Sequence, residues 1–173
     1  LGVMGPEGKG LSYGLSYPIT IISGTFGKAF GSGGAFLATN KKIGEHIIQT
    51  SGAFRYTTAL APPLSAAALA ALKLIKANPC WGIELQKQAM DWRCKFKERN
   101  WHLSSSNSPI IPLIIGSDEE ALKQQQKLES QGILTVAIRP PTVPEGKSRL
   151  RLVIRRNLPE NALRKFLLAL SDS

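Results

Sequence analysis

The sequence has few cysteines, no long apolar run and no basic leader segment. Its 173 residues include two cysteines, Cys80 and Cys94, which lack the CxxC spacing of metal or redox sites. No apolar run approaches the about 18 residues that a membrane span needs, and the opening LGVMGPEGKG does not have the order of a signal peptide. We therefore predict buried or surface thiols, no metal site, no membrane association and a cytoplasmic location.

A clustered basic surface is also lacking, although the formal net charge is +10. Lysine and arginine are scattered from Lys9 to Lys165, with one local concentration over residues 139–156. Nucleic-acid-binding proteins usually group such residues on one face and interleave them with aromatic side chains. We interpret the charge as a solvated surface with some anion-binding residues and expect no nucleic-acid partner. A basic module that binds anions or nucleic acid is the alternative from a different functional class.

The hydrophobic content of 43% is enough for a sizeable core, and the pattern of the chain is typical of an α/β fold. Predicted strands lie at 18–23, 34–39, 110–115, 133–139 and 149–155, and predicted helices at 41–50, 62–77, 83–99, 118–130 and 159–170. Ser117 is expected to cap the fourth helix and Gly132 to follow its end. We place a domain boundary near residues 100–108, so that residues 101–173 form a small α/β domain.

The stretch SGTFGKAFGSGGAF, residues 23–36, places one lysine among glycines in the connection between the first two predicted strands. It does not match a phosphate-binding P-loop, because Lys28 is followed by Ala29 and the required upstream glycine is missing. The amine of a lysine can condense with an aldehyde, and small neighbours leave room for a flat cofactor. The hydroxyl of Thr25 could then meet a phosphate. A solvated lysine in a glycine-rich connection is the competing interpretation.

Four segments together resemble the α-oxoamine synthases, a family of pyridoxal-phosphate enzymes. TFGKAFG is followed by GGAFLAT and RYTTALAPP, and about a hundred residues later by IRPPTVPEGKSRLRLVI. The resemblance covers essentially the whole chain. It implies a fold-type-I transferase similar to aspartate aminotransferase, in which residues 1–100 would be the latter part of the large cofactor-binding domain.

The resemblance also implies roles for the residues around the lysine. Lys28 would hold pyridoxal 5′-phosphate covalently and later move protons at the α-carbon of the substrate. Thr25 would hydrogen-bond the cofactor phosphate. Thr57 and Thr58 would approach the phosphate held by the neighbouring subunit of a homodimer with shared active sites. The alternative for this threonine pair is a cap at the start of the helix that follows.

Two further residues match substrate contacts of the family. Arg151 corresponds to the arginine that receives the substrate carboxylate, a role that suits the bidentate guanidinium group. Arg149 lies two positions earlier, so it faces the same side of a strand and competes for that role. Thr142 matches a substrate contact in a loop that Pro140, Pro141 and neighbouring prolines restrict. A rigid surface turn is the alternative for this loop.

The Arg-Pro-Pro-Thr-Val-Pro form most resembles the branch of the family that serves biotin synthesis. That branch condenses L-alanine with a pimeloyl thioester, carried by coenzyme A or acyl carrier protein, and releases carbon dioxide. A glycine-using synthase, such as a glycine C-acetyltransferase or an aminolevulinate synthase, is the alternative within the family.

The resemblance further implies an aspartate that pairs with the pyridinium nitrogen and a histidine three residues later, both expected just before Leu1. The chain as given is therefore expected to be inactive alone. His46 and His102 do not replace these residues, because neither has a paired carboxylate at catalytic spacing. We interpret both as ordinary surface or core histidines.

Overall fold

The computed structural model describes residues 1–171 and divides the chain into two compact units, with the division between Ile83 and Glu84. This division lies inside a helix, whereas the sequence places the boundary near residues 100–108. The reason is that the second half of that helix contributes Ala89, Trp92 and Phe96 to the core of the second unit. The assignment of 1–100 and 101–173 to domains of a larger enzyme stays a prediction.

The first unit contains an antiparallel hairpin followed by helices. Its elements are a 3-10 turn at Pro6–Gly8, β1 (Ile21–Thr25), β2 (Ala35–Thr39), α1 (Lys41–Thr50), α2 (Gly52–Arg55) and α3 (Pro62–Ala77). α1 begins where the Asn40 side chain accepts a hydrogen bond from the Ile43 amide at 3.0 Å. α3 begins with two prolines, which need no amide partners in the first turn.

The first unit leaves most of its apolar side chains exposed. Among its residues whose burial is described, only Gly8, Ala68 and Gly82 are buried. Leu69 and Leu74 of α3 are more than half exposed, and α1 has no buried residue. The described residues of the first unit therefore do not form an enclosed hydrophobic core.

The second unit encloses a hydrophobic core. α4 (Trp81–Lys97) leads into it and is followed by β3 (Ile110–Gly116), α5 (Asp118–Ser130), β4 (Val136–Ile138), β5 (Ser148–Val153) and α6 (Ala162–Ser171). The three strands form an antiparallel sheet in the order β3-β5-β4. On one face Leu113 is paired with Leu150, and both are fully buried. The rings of Trp92, Phe96 and Phe166 pack together in the same core.

Several predicted elements are confirmed and others differ in extent. The bounds of α1, α3 and α5 agree with the sequence pattern, and the Ser117 hydroxyl caps α5 by accepting from the Glu120 amide at 3.1 Å. The sequence pattern does not predict α2. β4 is shorter than expected, because Ile133 returns to the end of α5 through its amide bond to the Leu128 carbonyl. Along residues 1–171, no helix is both long and apolar enough to cross a lipid bilayer.

Candidate functional site

The predicted lysine lies at the end of the β1-β2 hairpin. Thr25 is the last residue of β1 and is paired with Ala35, the first residue of β2. Between them, the Phe26 amide donates to the Gly34 carbonyl and the Ser32 amide to the Phe26 carbonyl, both at 2.9 Å. A further turn is closed by the Gly31 amide on the Lys28 carbonyl. The loop that carries Lys28 is therefore held by its own backbone and does not depend on the lysine side chain.

At two positions beside this loop, steric contacts explain why the residue is glycine. Gly34 has a φ of +90°, and a Cβ atom there would lie 2.9 Å from a methyl carbon of Leu60. A Cβ atom at Gly24 would overlap the ring of Phe36, its cross-strand partner. The Phe26 ring packs at 5.4 Å from the rings of Phe30 and Phe36. Gly24 thus lets the Phe36 ring pack against the hairpin backbone, and Gly34 leaves room for the Leu60 side chain.

Thr25 and Lys28 are both exposed, so the hairpin end presents a hydroxyl and an amine three positions apart. Within residues 1–171, no ion pair involves Lys28. Pyridoxal phosphate needs an amine for its aldehyde, a hydrogen-bond donor for its phosphate and space for a flat ring. The hairpin end supplies the amine of Lys28 and the hydroxyl of Thr25, and the glycines of the loop add no side chains beside them.

Ser32 lies in this loop and is not among the site residues predicted from the sequence. Its hydroxyl donates to the Leu64 carbonyl in the first turn of α3 at 2.6 Å. The bond joins the lysine loop to α3. A serine in a glycine-rich loop gives no separate signal, because the partner is 32 positions away in the sequence.

Thr57 and Thr58 follow α2 in an exposed turn. The alternative that they cap the next helix is wrong, because the N-cap residue of α3 is Ala61 and no side chain bonds there. Neither hydroxyl therefore serves as the cap of α3. Their predicted contact with a cofactor phosphate stays a prediction.

Arg149 and Arg151 lie on the same face of β5, as predicted. The residues between and beside them, Ser148, Leu150 and Leu152, are buried on the opposite face. β5 is the central strand, so each arginine lies between side chains of β3 and β4. Arg151 is opposite Pro112 and Val136, and Arg149 is opposite Ile114 and Ile138.

The two arginines differ in exposure and in their contacts. Arg149 is half-buried, and its Nε donates to the Lys147 carbonyl at 2.9 Å. Arg151 is exposed and borders a groove of about 670 Å³. Arg151 is therefore better placed than Arg149 to receive an external carboxylate with its whole guanidinium group.

The loop before β5 carries Thr142, whose side chain is exposed. The Thr142 amide donates to the Arg139 carbonyl at 3.0 Å, and the Lys147 amide donates to the Pro144 carbonyl at 3.1 Å. The peptide bond between Pro140 and Pro141 is cis. Two successive turns thus order the loop between β4 and β5.

A buried arginine in α4 was missed by the sequence reasoning. Arg93 is 2% exposed, and its Nη2 donates to the carbonyls of Ser108 and Ile110 at 3.1 and 2.7 Å. Burial lowers the pKa of this guanidinium from its ordinary value. Its observed contacts hold the start of β3 against α4. The amphipathic pattern of α4 gives no sign of a buried charge.

His46, His102 and both cysteines are exposed. This agrees with the interpretation of the two histidines as surface residues. It places the two thiols at the surface as well. None of the four residues enters the candidate site.

Comparisons with known proteins identify relatives of the whole chain. The sequence model of the family "Aminotransferase class I and II" matches residues 8–170. An 8-amino-7-oxononanoate synthase of Methylobacillus flagellatus is 40% identical over 153 residues, which are 87% of this chain and 39% of that protein. The chain spans less than half the length of the curated relatives it matches, such as this one and the synthase of Saccharophagus degradans, of which it covers 44%.

Solved structures are similar to the chain over nearly its whole length. The 8-amino-7-oxononanoate synthase of Francisella tularensis is 29% identical with a TM-score of 0.83, and the match covers 98% of this chain and 50% of that one. A structure described as SPT with a PLP internal aldimine is 24% identical with a TM-score of 0.90 and covers 99% and 44%. The predicted fold class is confirmed. The predicted cofactor, pyridoxal phosphate, is named in the description of the SPT structure.

Proposed function

Because the chain belongs to the aminotransferase class I and II family, we propose that it is part of a pyridoxal-phosphate-dependent 8-amino-7-oxononanoate synthase. The complete enzyme would condense L-alanine with pimeloyl-coenzyme A or pimeloyl acyl carrier protein. Its products are 8-amino-7-oxononanoate, carbon dioxide and the free thiol carrier, in biotin biosynthesis. The observation that carries this proposal is the ordered hairpin end with Lys28, in a chain 40% identical to a named synthase.

The proposed roles in the first unit follow from the groups that the hairpin presents. When bound, pyridoxal phosphate withdraws electrons from the α-carbon of an amino acid. Lys28 would carry the cofactor and then move the proton at that carbon. Thr25 would donate its hydroxyl to the phosphate. The backbone bonds of the loop keep both residues in place before any ligand arrives.

In the second unit, Arg151 would bind the carboxylate of L-alanine and Thr142 would contact the same substrate. Arg151 is exposed on the central strand, and the aliphatic neighbours Pro112 and Val136 bring no competing negative charge to it. A guanidinium group holds a carboxylate in a bidentate geometry that fixes its orientation. This supports Arg151 over Arg149, whose Nε already bonds the backbone.

We further propose a homodimer in which Thr57 and Thr58 reach the cofactor phosphate of the partner subunit. The exposed position of both threonines, without a capping role in α3, leaves their hydroxyls available for this contact. The expected compartment is the cytoplasm. Sedimentation of the complete protein should give a dimer, and full activity of a monomer would contradict the shared site.

Labelling of the complete protein tests the cofactor assignment. Borohydride should fix pyridoxal phosphate on a single lysine, and peptide mapping should place it on Lys28. A label on any other lysine, or no label, would overturn the assignment. Cofactor absorbance in the visible range should be present before reduction and change upon it.

Substrate pairs distinguish the proposed reaction from its alternative. The complete enzyme should release the free thiol carrier from a pimeloyl thioester in the presence of L-alanine, and much less coenzyme A from acetyl-coenzyme A in the presence of glycine. The reverse preference would assign the chain to a glycine-using synthase. The same assay with pimeloyl-coenzyme A and pimeloyl acyl carrier protein would identify the carrier.

A further inference from the structure

Ser148, the first residue of β5, is a polar residue with no exposed surface. Its hydroxyl donates to Oδ1 of Asp118, the first residue of α5, at 2.5 Å. The acceptor carboxylate lies on an exposed residue 30 positions earlier in the chain. Hydrogen bonds to charged groups are stronger than neutral ones, and a buried hydroxyl without a partner is destabilising. The bond therefore fixes the start of β5 to the start of α5.

Ser148 separates the two groups of proposed substrate contacts. The loop with Thr142 ends directly before it, and Arg149 and Arg151 follow it by one and three positions. Opposite Ser148 lies Gly116, where the pairing of β3 with β5 shifts by one residue. A bulge disrupts a ladder locally, so the pairing with β3 is weaker at this end of β5 than along the rest of the strand. The contact with Asp118 supplies a separate fixed point.

We propose that Asp118 and Ser148 form a positioning pair. The pair holds the loop of Thr142 and the side chain of Arg151 in the position that the amino-acid substrate requires for binding. This inference rests on the proposed function, because it takes the substrate carboxylate of Arg151 from there. Neither residue touches the substrate. The pair acts through the junction between the loop and the strand.

The rest of β5 is anchored without this bond. Leu150 and Leu152 are buried opposite Leu113 and Ile111, and the amide of Ile154 donates to the Pro109 carbonyl at 2.9 Å. Loss of the Ser148 hydroxyl leaves Asp118 in water, which costs little. The fold should therefore survive Ser148→Ala, while the junction gains freedom.

The test uses the complete enzyme loaded with pyridoxal phosphate and varies L-alanine at saturating thioester. Ser148→Ala and Asp118→Ala should each raise the KM for L-alanine about three- to thirtyfold and change kcat much less, because the loss is one of alignment in binding. Asp118→Asn should restore most of the affinity, since its amide oxygen still accepts the bond. The double variant should be no worse than the more affected single variant.

Ser130→Ala is the control for removal of a serine hydroxyl away from β5, because the exposed Ser130 hydroxyl donates to the Lys127 carbonyl at 2.8 Å within α5. It should leave the KM for L-alanine unchanged. An equal rise in this control, or additive losses in the double variant, would overturn the positioning role. If Asp118→Ala fails to fold, Ser148→Ala with its control decides the question.

Arg151→Lys, measured in parallel, distinguishes a failure of the positioning pair from a failure of the substrate role proposed for Arg151. If it raises the KM for L-alanine while Ser148→Ala does not, the positioning pair is wrong and the substrate assignment stands. If Arg151→Lys also leaves that KM unchanged, the proposed role of Arg151 is wrong, and the positioning pair is overturned with it.

Discussion

The two compact units bury their apolar side chains to very different extents. In the second unit, Phe96, Ile111 and Leu150 have no exposed surface, and helices cover one face of the sheet. In the first unit, Tyr56 is 83% exposed and α3 presents several leucines to solvent. Yet the first unit carries the glycine-rich hairpin with Lys28. The well-packed core thus lies in the second unit, whereas the lysine proposed to hold the cofactor lies in the first, and substitutions can test this difference.

The largest effect is expected from Lys28→Ala in the complete enzyme. Loss of the amine removes both the covalent attachment of the cofactor and the proton transfer, so kcat should fall by about 10³-fold or more. The unfolding midpoint without cofactor should stay the same, because Lys28 is exposed and its loop is held by backbone bonds. Steady-state kinetics and thermal unfolding measure the two quantities. A large loss of stability would give Lys28 a structural role instead.

A substitution in the core of the second unit should instead lower the free energy of unfolding. Phe96→Ala removes a fully buried ring that packs on Trp92 and Phe166, which should lower the free energy of unfolding by about 3–5 kcal/mol. Leu69→Ala in α3 is the control, because Leu69 is 54% exposed, and it should cost less than about 1 kcal/mol. Urea unfolding of the 173-residue chain would show both. Equal losses would mean that the two units do not differ in packing.

Arg151→Lys should have an intermediate effect that is confined to binding. A lysine keeps the charge and loses the bidentate geometry, at a cost of about 1.5–3 kcal/mol, so the KM for L-alanine should rise about tenfold to a hundredfold. The KM for the thioester should change much less. Arg149→Lys is the control and should affect the thioester or neither substrate. Kinetics with each substrate varied in turn would decide, and a normal response to alanine in Arg151→Lys would exclude that residue.

The smallest effect is expected from alanine substitutions of one glycine in each unit, measured as a change in the thermal midpoint. Gly34 and Gly146 both have positive φ, which costs a substituted alanine about 1 kcal/mol. At Gly146 nothing lies within 4 Å of the added carbon, whereas at Gly34 the Leu60 side chain must move. Gly34→Ala should therefore lower the thermal midpoint of the complete protein more than Gly146→Ala does. The reverse order would show that Leu60 moves at no cost.

The sequence predicts helices best where a local signal marks the first turn. α1, α3 and α5 have their expected bounds because Asn40, the prolines at the start of α3 and Ser117 determine where each helix begins. β1 begins at Ile21 rather than at Pro18, because its partner strand ends at Thr39 and leaves the preceding residues unpaired. α2 is only four residues long, too short for a periodic pattern.

The candidate site could be predicted from the sequence only as far as its motifs reach. The hairpin position of Lys28 and the common face of Arg149 and Arg151 follow from glycine content and strand alternation. The Ser32 bond to α3 and the Asp118–Ser148 pair join residues about 30 positions apart. No local pattern encodes such a contact, so only the tertiary structure reveals it.

The strand order β3-β5-β4 has a consequence for biosynthesis. The central strand is the last of the three to leave the ribosome, so β3 and β4 have no partner in this sheet until β5 is made. Pairing over such sequence distances is slow, and unpaired strands are prone to aggregate in the meantime. A polypeptide that stops before Ser148 would lack the whole ladder as well as Arg151. The arginine proposed to bind the substrate carboxylate and the completion of the sheet would therefore arrive with the same six residues of nascent chain.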